Sequence, residues 1–217
     1  MGTITRSFAN NITTSGVLLP ASLNNNSIAN VTAYNASVAT GNMVLISSQT
    51  ASNSASISFT TGINSTYKEY QFWFVDIHPR TDEVQLTFNM STDGGSNYNV
   101  TKTTTVFNAY HFESDAYTDL VYRTSDDLAQ STAFQSIATG VGSGADESCS
   151  GTMQLFNPAS TTYVKHFISS SNIYDASDIT VNYFVAGYGN TTSACNAIQF
   201  KMSSGNFDGT ILMYGIV

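Results

Sequence analysis

The sequence predicts an all-β protein, an antiparallel β-sandwich of jelly-roll-like type with an extended N-terminal arm. Short runs of alternating apolar and polar residues recur from about residue 43 to the end, each bounded by Gly, Pro, Asn, Asp or Ser. No long segment holds a helical period. A chain of 217 residues, 41% of them hydrophobic, can bury one such core. We expect an arm over residues 1–42 and a sandwich over residues 43–217.

The arm carries small apolar clusters separated by Asn, Ser and Thr, and it cannot bury them by itself. Either it folds against its own domain, or it packs on another subunit and docks the protein to a larger assembly. The residues that would anchor it to a partner are Phe8, Ile12, Val17, Leu18, Leu19, Ile28 and Val31.

Eleven stretches from residue 43 onward have the pattern of strands in a sandwich or jelly roll. In chain order they are MVLISSQTA, SASISFTTG, YKEYQFWFVDIHP, DEVQLTFNM, NVTKTTTVFNAYHF, TDLVYRT, GTMQLFNP, YVKHFISS, DITVNYFVAGYG, NAIQFKMSS and GTILMYGIV.

The stretch YKEYQFWFVDIHP is apolar on both sides. Phe72 and Phe74 lie on one face of the predicted strand, while Trp73 and Val75 lie on the other. A strand with apolar residues on one face only has its other face in water. Apolar residues on both faces therefore predict a central strand that is covered on both sides.

Charge and hydropathy exclude two classes of partner. The chain has 7 Lys plus Arg against 15 Asp plus Glu, a net charge of -8, which opposes nucleic-acid binding. No apolar stretch is long enough for membrane insertion, and the N-terminus lacks the apolar core of a secretory signal. We expect synthesis in a cytoplasm.

Two loops are candidates for contacts with a receptor. STDGGSNYN at residues 91–99 has turn residues between two strands, and the acidic ligands and closing Glu of a calcium loop are missing, so a hairpin or corner is expected. Its tip carries Asp93, Asn97 and Tyr98. The Gly-rich loop at residues 140–151 carries Asp146 and Glu147 and lacks the Lys-Ser/Thr of a phosphate-binding loop.

Catalytic and metal patterns are weak throughout. The three histidines lack metal-pair spacing. His78 has Asp76 and Asp82 nearby, but no nucleophile motif accompanies them. A carboxylate pair for sugar hydrolysis could be drawn from Glu113 and Asp119, with nothing in the sequence to set their separation. We predict no catalytic residues, no metal and no cofactor.

The two cysteines, Cys149 and Cys195, lie far apart and form no CxxC pair. They are either free thiols, which cytoplasmic synthesis favours, or a disulfide that closes later in an oxidising medium.

Four stretches are distinctive as a set: TITRSFANNITTSGV, LISSQTASNSASISFTTGINSTYKEYQFWFVDIHPRTD, LTFNMSTDGGSNYN and GTILMYGIV. Together they resemble small virion proteins of tailed bacteriophages, especially marine and cyanobacterial ones, over most of the chain. The resemblance implies a non-enzymatic β-sandwich on the virion surface, made in the host cytoplasm and released by lysis. It implies either a capsid decoration or head-fibre protein docked by its arm to other virion proteins, or a tail-fibre module that recognises a host surface glycan or protein.

Two further expectations accompany that resemblance. A homotrimer would bury the apolar residues of the arm that one chain leaves exposed. A glycan-degrading enzyme on the same scaffold is the third hypothesis, and it would need a carboxylate pair in a groove.

Overall fold

The computed structural model describes residues 42–217, and this part of the chain is an all-β antiparallel sandwich, as predicted. No helix within it is long and apolar enough to cross a membrane. The predicted arm and its seven anchor residues lie outside the described residues. The strands are β1 (Met43–Ser54), β2 (Ile57–Phe59), β3 (Glu69–Pro79), β4 (Val84–Ser91), β5 (Lys102–Phe112), β6 (Thr118–Tyr122), β7 (Gln135–Val141), β8 (Cys149–Phe156), β9 (Lys165–Asp175), β10 (Ile179–Gly189), β11 (Ala197–Met202) and β12 (Phe207–Ile216).

The strands form two facing sheets, which are linked where the end of β7 meets the end of β9. The large sheet has the order β1-β12-β3-β8-β9-β10-β5-β6, and the small sheet has the order β7-β4-β11-β2. A single residue pair, Val141 with Asp175, links β7 to β9 and connects the sheets. The chain crosses repeatedly between them, which gives the jelly-roll-like character.

Aromatic side chains fill the space between the sheets. Phe200 of β11 contacts Phe72 and Phe74 of β3, with ring centroids 5.3 Å and 5.2 Å away. Phe88 of β4 meets Phe167 of β9 edge to face at 4.9 Å. These rings are almost completely buried, so they fix both the spacing of the sheets and which face of each strand turns inward.

One expectation about strand positions was wrong: the sequence predicted no strand between residues 125 and 151, whereas β7 lies there. Of the two alternatives for the loop at residues 92–98, the structure shows the corner, since β4 pairs with β7 and β11 whereas β5 pairs with β10 and β6. This corner carries the chain from the small sheet to the large one.

Candidate functional site

The outward face of the large sheet carries an unbroken row of side chains across all eight strands. Consecutive members are partners in the antiparallel register, so they point to the same side. The row runs Tyr122, Phe107, Phe184, Ser170, Thr152, Trp73, Leu212 and Ser48.

Large apolar side chains make up much of this face. Phe107 and Phe184 stack at 4.9 Å with ring planes 13° apart, and Trp73 packs on Tyr214 at 5.3 Å. Leu120 is 68% exposed, which is high for a leucine on a strand. Most of the exposed large hydrophobic residues of residues 42–217 belong to this one surface: Met43, Leu45, Trp73, Val75, Phe107, Leu120, Tyr122 and Ile168. We call it the outer face.

The predicted cover of β3 is therefore absent from the described part of the chain. Trp73 is 38% exposed and Val75 is 40% exposed, although the sequence predicted that both would be buried. The inward side of β3 is buried as predicted. Nothing in residues 42–217 lies over the other side.

The centre of the outer face carries no charge. The row on one side of the central row runs Thr105, Ala186, Ile168, Gln154, Gln71, Tyr214 and Leu45. The row on the other side includes Leu120, Ala109, Asn182, Asn172 and Ser150, and then Val75, Thr210 and Thr50 beyond a bulge. None of these residues is Asp, Glu, Lys or Arg, so contact with another surface would leave no charge unpaired at the centre.

The outer face is about as large as one side of a stable protein interface. Eight strands spaced about 4.8 Å apart span about 38 Å, and three rows of side chains cover about 14 to 20 Å along the strands. The product is about 500 to 800 Å², against about 800 Å² per partner in a standard interface. About half of the residues in these rows are apolar and the rest are uncharged polar residues, a mixture that resembles the composition of non-obligate protein interfaces.

The outer face also has a depression of about 490 Å³ near β9 and β10. Its floor includes the small side chain of Ala186, and its borders include Phe156, His166, Ile168 and Tyr188. The short side chain between longer neighbours lets a protruding group from a partner enter the face.

The corner at residues 92–98 is held together by its own hydrogen bonds. The Asp93 carboxylate accepts hydrogen bonds from Ser91 Oγ at 2.6 Å, from the Asn97 backbone N–H at 2.9 Å and from Asn97 Nδ2 at 2.8 Å. These donors lower the pKa of Asp93 to about 2. Gly94 and Gly95 have φ angles of 74° and 90°, which favour glycine. Asp93 and Asn97 thus bond to each other, while Tyr98 is partly buried beside them.

The second predicted contact loop lies at the opposite end of β4. The ladder pairs Val141, which precedes this loop, with Val84 at the start of β4, whereas the corner follows Ser91 at its end. The eight residues between them separate the loops by about 23 Å. Asp146 is exposed, and the Glu147 carboxylate accepts a hydrogen bond from the backbone N–H of Gly144. The structure does not bring the two predicted contact loops together.

The histidine candidates bond to groups other than the carboxylates considered from the sequence. His78 Nδ1 bonds to the backbone oxygen of Glu147 at 2.6 Å, and neither neighbouring aspartate is its partner. His111 pairs with Asp115 at 3.0 Å on an exposed turn. Within residues 42–217, no three His, Cys, Asp or Glu side chains are grouped so that they could hold a metal ion. Cys149 and Cys195 are free and buried, which is the first of the two predicted alternatives.

The outer face is a candidate interaction surface that the sequence did not reveal as such. A signal for it was present in the apolar second side of β3. The comparisons give no further assignment, since no protein-family model, no curated protein and no solved structure matches the chain.

Proposed function

We propose that this protein is a non-enzymatic structural subunit on the surface of a tailed-phage virion, a capsid decoration or head-fibre protein docked by its N-terminal arm. The observation that carries the proposal is the uncharged centre of the outer face, which is rich in exposed aromatic and aliphatic side chains. The location on a phage virion is inferred from the resemblance of four stretches of the sequence to phage virion proteins.

The occupant of the outer face in this proposal is a further copy of the same chain, within a homotrimer. Each chain has a net charge of -8, so copies repel one another, and contact costs least where the two surfaces carry no charge. The centre of the outer face is such a surface, whereas Glu69 lies near the end of that face, in the row of Met43. The aromatic residues of the outer face, Trp73, Phe107, Phe184 and Tyr214, are of the type that dominates the binding energy of interfaces.

The first experiment tests the oligomer through that face. The double variant Phe107→Glu/Phe184→Glu places two carboxylates in the stacked pair of the central row, on β5 and β10. Light scattering after size-exclusion chromatography should give a trimer for the full-length wild-type chain and a monomer for the variant, with the same far-UV circular dichroism. Tyr163→Glu is the matched control, because Tyr163 is equally aromatic and 69% exposed but lies off the sheet, between β8 and β9, and this variant should remain trimeric.

Two outcomes would overturn the assembly surface. One is a wild-type chain that is monomeric at all concentrations tested. The other is a folded double variant that keeps the wild-type oligomeric state.

The second experiment tests the virion address. Quantitative mass spectrometry of purified particles, normalised to the major capsid protein, should give copies in proportion to the capsid lattice, and deletion of residues 2–42 should abolish incorporation. A small multiple of the tail symmetry would move the protein to a tail fibre, where receptor recognition is the alternative function. Absence from purified particles would refute the virion assignment in both forms.

A further inference from the structure

A second cavity lies on the inner side of the large sheet, away from the outer face. It is a groove of about 410 Å³ between the inward-facing residues of β5, β6 and β10 and the end of β7. We call it the side groove. Its volume falls within the range of small-molecule sites, about 300 to 1,000 Å³.

The side groove contains a buried polar group without a partner. Asn108 points inward from β5, is 4% exposed and lines the groove, and its Oδ1 has no hydrogen-bond partner within residues 42–217. An unpaired buried carbonyl lowers stability, so native proteins rarely keep one without a reason. The other such atom, Ser171 Oγ, packs against the strand around Gly151 and lines none of the cavities described for this part of the chain.

The neighbouring polar groups are ordered by a separate network. The buried Asp126 carboxylate accepts hydrogen bonds from Tyr183 Oη at 2.8 Å and from Arg123 Nε at 3.3 Å, and also from Gln85 Nε2 at 3.3 Å. The hydrogen bond to Asp126 holds the Arg123 side chain in place, and that side chain is 36% exposed and lines the groove. The guanidinium can still donate from its terminal nitrogens.

Asp175 supplies an acceptor on the opposite side. One carboxylate oxygen accepts a hydrogen bond from the Ser177 backbone N–H at 3.0 Å, while the other faces Gly140. Gly140 has a φ of 64°, and a side chain there would collide with that oxygen. Partial burial, together with the carboxylates of Glu83 and Glu147, raises the pKa of Asp175. A ligand hydroxyl that donates a hydrogen bond to the Asp175 carboxylate would therefore stabilise its charged form.

The remaining walls are apolar and partly aromatic. Tyr110 and Phe112 are successive inward residues on β5, with ring centroids 6.2 Å apart, and Val121, Ile179 and Val181 complete the surface. The groove thus offers a ring face for C–H contacts, an unpaired amide, a guanidinium and a carboxylate. A cationic ligand would oppose Arg123 and an anionic ligand would oppose Asp175.

We propose that the side groove binds a neutral pyranose sugar, either free or at the end of a glycan chain. Such a ring has an apolar C–H face for Tyr110 and Phe112. Its hydroxyls can donate to Asp175 and accept from Arg123 and from the side-chain amide N–H of Asn108. This proposal is independent of the assembly proposal, because the side groove and the outer face are on opposite sides of the large sheet.

The test is a two-dimensional ¹H–¹⁵N NMR titration of the full-length chain. The probes are glucose, galactose, mannose and N-acetylglucosamine, each as the free sugar and as the methyl glycoside, which imitates a chain end. Saturable shifts are expected in the amides around Asn108, Gly140 and Val181 with at least one sugar. Equal affinity for a free sugar and its methyl glycoside would indicate that the groove makes no contact with the anomeric hydroxyl.

Two variants and one control locate the site. Asn108→Leu should raise the melting temperature of the sugar-free protein and weaken binding by about tenfold or more, because a hydrogen-bonding group is replaced by an apolar one of similar shape. Val121→Phe, on the edge strand β6, should fill the groove and also abolish binding. Leu120→Phe is the control, since Leu120 is next to it but faces the outer side, and it should bind like the wild type.

Three results would overturn the assignment. They are no shifts with any of the eight probes, shifts confined to another surface, and binding by Val121→Phe equal to that of the wild type.

Discussion

Replacing Lys102 by methionine should remove this residue's contribution to a rise in stability with pH that the wild-type protein shows just above neutrality. Lys102 is completely buried, and its Nζ donates to Asn89 Oδ1 at 2.6 Å and to the Val100 backbone oxygen at 2.9 Å. Burial lowers the pKa of this amine to about 7. Two acceptors match the two N–H bonds of a neutral amine.

The sign of this pH dependence follows from the number of protons that the folded and unfolded states bind. An exposed lysine in the unfolded chain holds its proton up to a pH of about 10, whereas Lys102 in the folded protein has lost it above its pKa of about 7. Between these values the unfolded state binds more protons. The free energy of unfolding therefore rises with pH, by up to about 1.4 kcal/mol per unit. From pH 7 to about 8.5 the contribution of Lys102 is about 2 kcal/mol.

Other groups change the slope, and the comparison with the variant removes their effect. Burial also lowers the pKa of Lys165, which adds to the rise. Burial raises the pKa of Cys149 to about 12 and that of Cys195 to about 11, so their contribution falls as the thiols of the unfolded chain ionise. The tyrosines with raised pKa values act in the same direction at higher pH. All of these residues are present in both proteins.

The assay is urea unfolding followed by far-UV circular dichroism at several pH values between neutrality and about 8.5, the ordinary pKa of a thiol. The wild-type advantage over Lys102→Met should grow by about 2 kcal/mol across this interval. Lys201→Met is the control, since Lys201 is partly exposed over the ring of Phe134, and it should keep the wild-type slope. A difference between wild type and Lys102→Met that stays constant with pH would refute the reasoning.

Two further predictions compare an inner with an outer aromatic ring and test the burial of the two thiols. Phe88→Ala should lower the free energy of unfolding by about 3 to 5 kcal/mol, because it empties the contact between the sheets. Phe107→Ala removes a partly exposed ring and should lower the free energy of unfolding of the isolated subunit by only about 1 kcal/mol. Chemical unfolding that gives equal losses for Phe88→Ala and Phe107→Ala would contradict the assignment of Phe88 to the inner side and Phe107 to the outer face. Cys149 and Cys195 should react with a thiol reagent only at the rate of unfolding, because both are buried and burial raises the pKa of each thiol. Rapid labelling of either residue in native buffer would show that its surroundings open.

Most of the strands could be predicted because their pattern is local. The alternation in the second half of β12 is visible in the sequence and survives in the fold. In β4 the sequence alternates as well, but the polar residues Thr87 and Asn89 are buried along with the apolar ones, so the half-exposed strand that the pattern predicts is wrong. The strand β7 was missed because it buries polar residues. Gln135 is fully buried, and its amide bonds to Thr104 Oγ1 at 2.6 Å and to the Asp126 backbone oxygen at 2.9 Å. A polar residue that gains its partners from distant strands breaks the pattern on which the prediction depends.

Strand pairing and the sites could not be predicted for a related reason. The first and last strands pair with each other, and the DGG corner has the same local geometry whether the next strand joins its neighbour or the other sheet. The side groove combines β5, β6, β7, β9 and β10, which no stretch of sequence places together. The predicted contact loops were found as loops, but the distance between them depends on the register of β4 with β7.

The outer face explains why the interpretation of β3 was wrong for this chain and still informative. Apolar residues on both sides of a strand indicate that both sides leave water in the working protein, and the pattern carries no information about which molecule provides the cover. Trp73 is not an isolated case, because Phe184 and Phe107 lie in the same row three and four strands away, with no charged residue between them. A row of this kind lowers solubility in a free subunit, so its presence requires a benefit elsewhere. The proposed burial against identical subunits would supply that benefit, and charges introduced at Phe107 and Phe184 test the proposal directly.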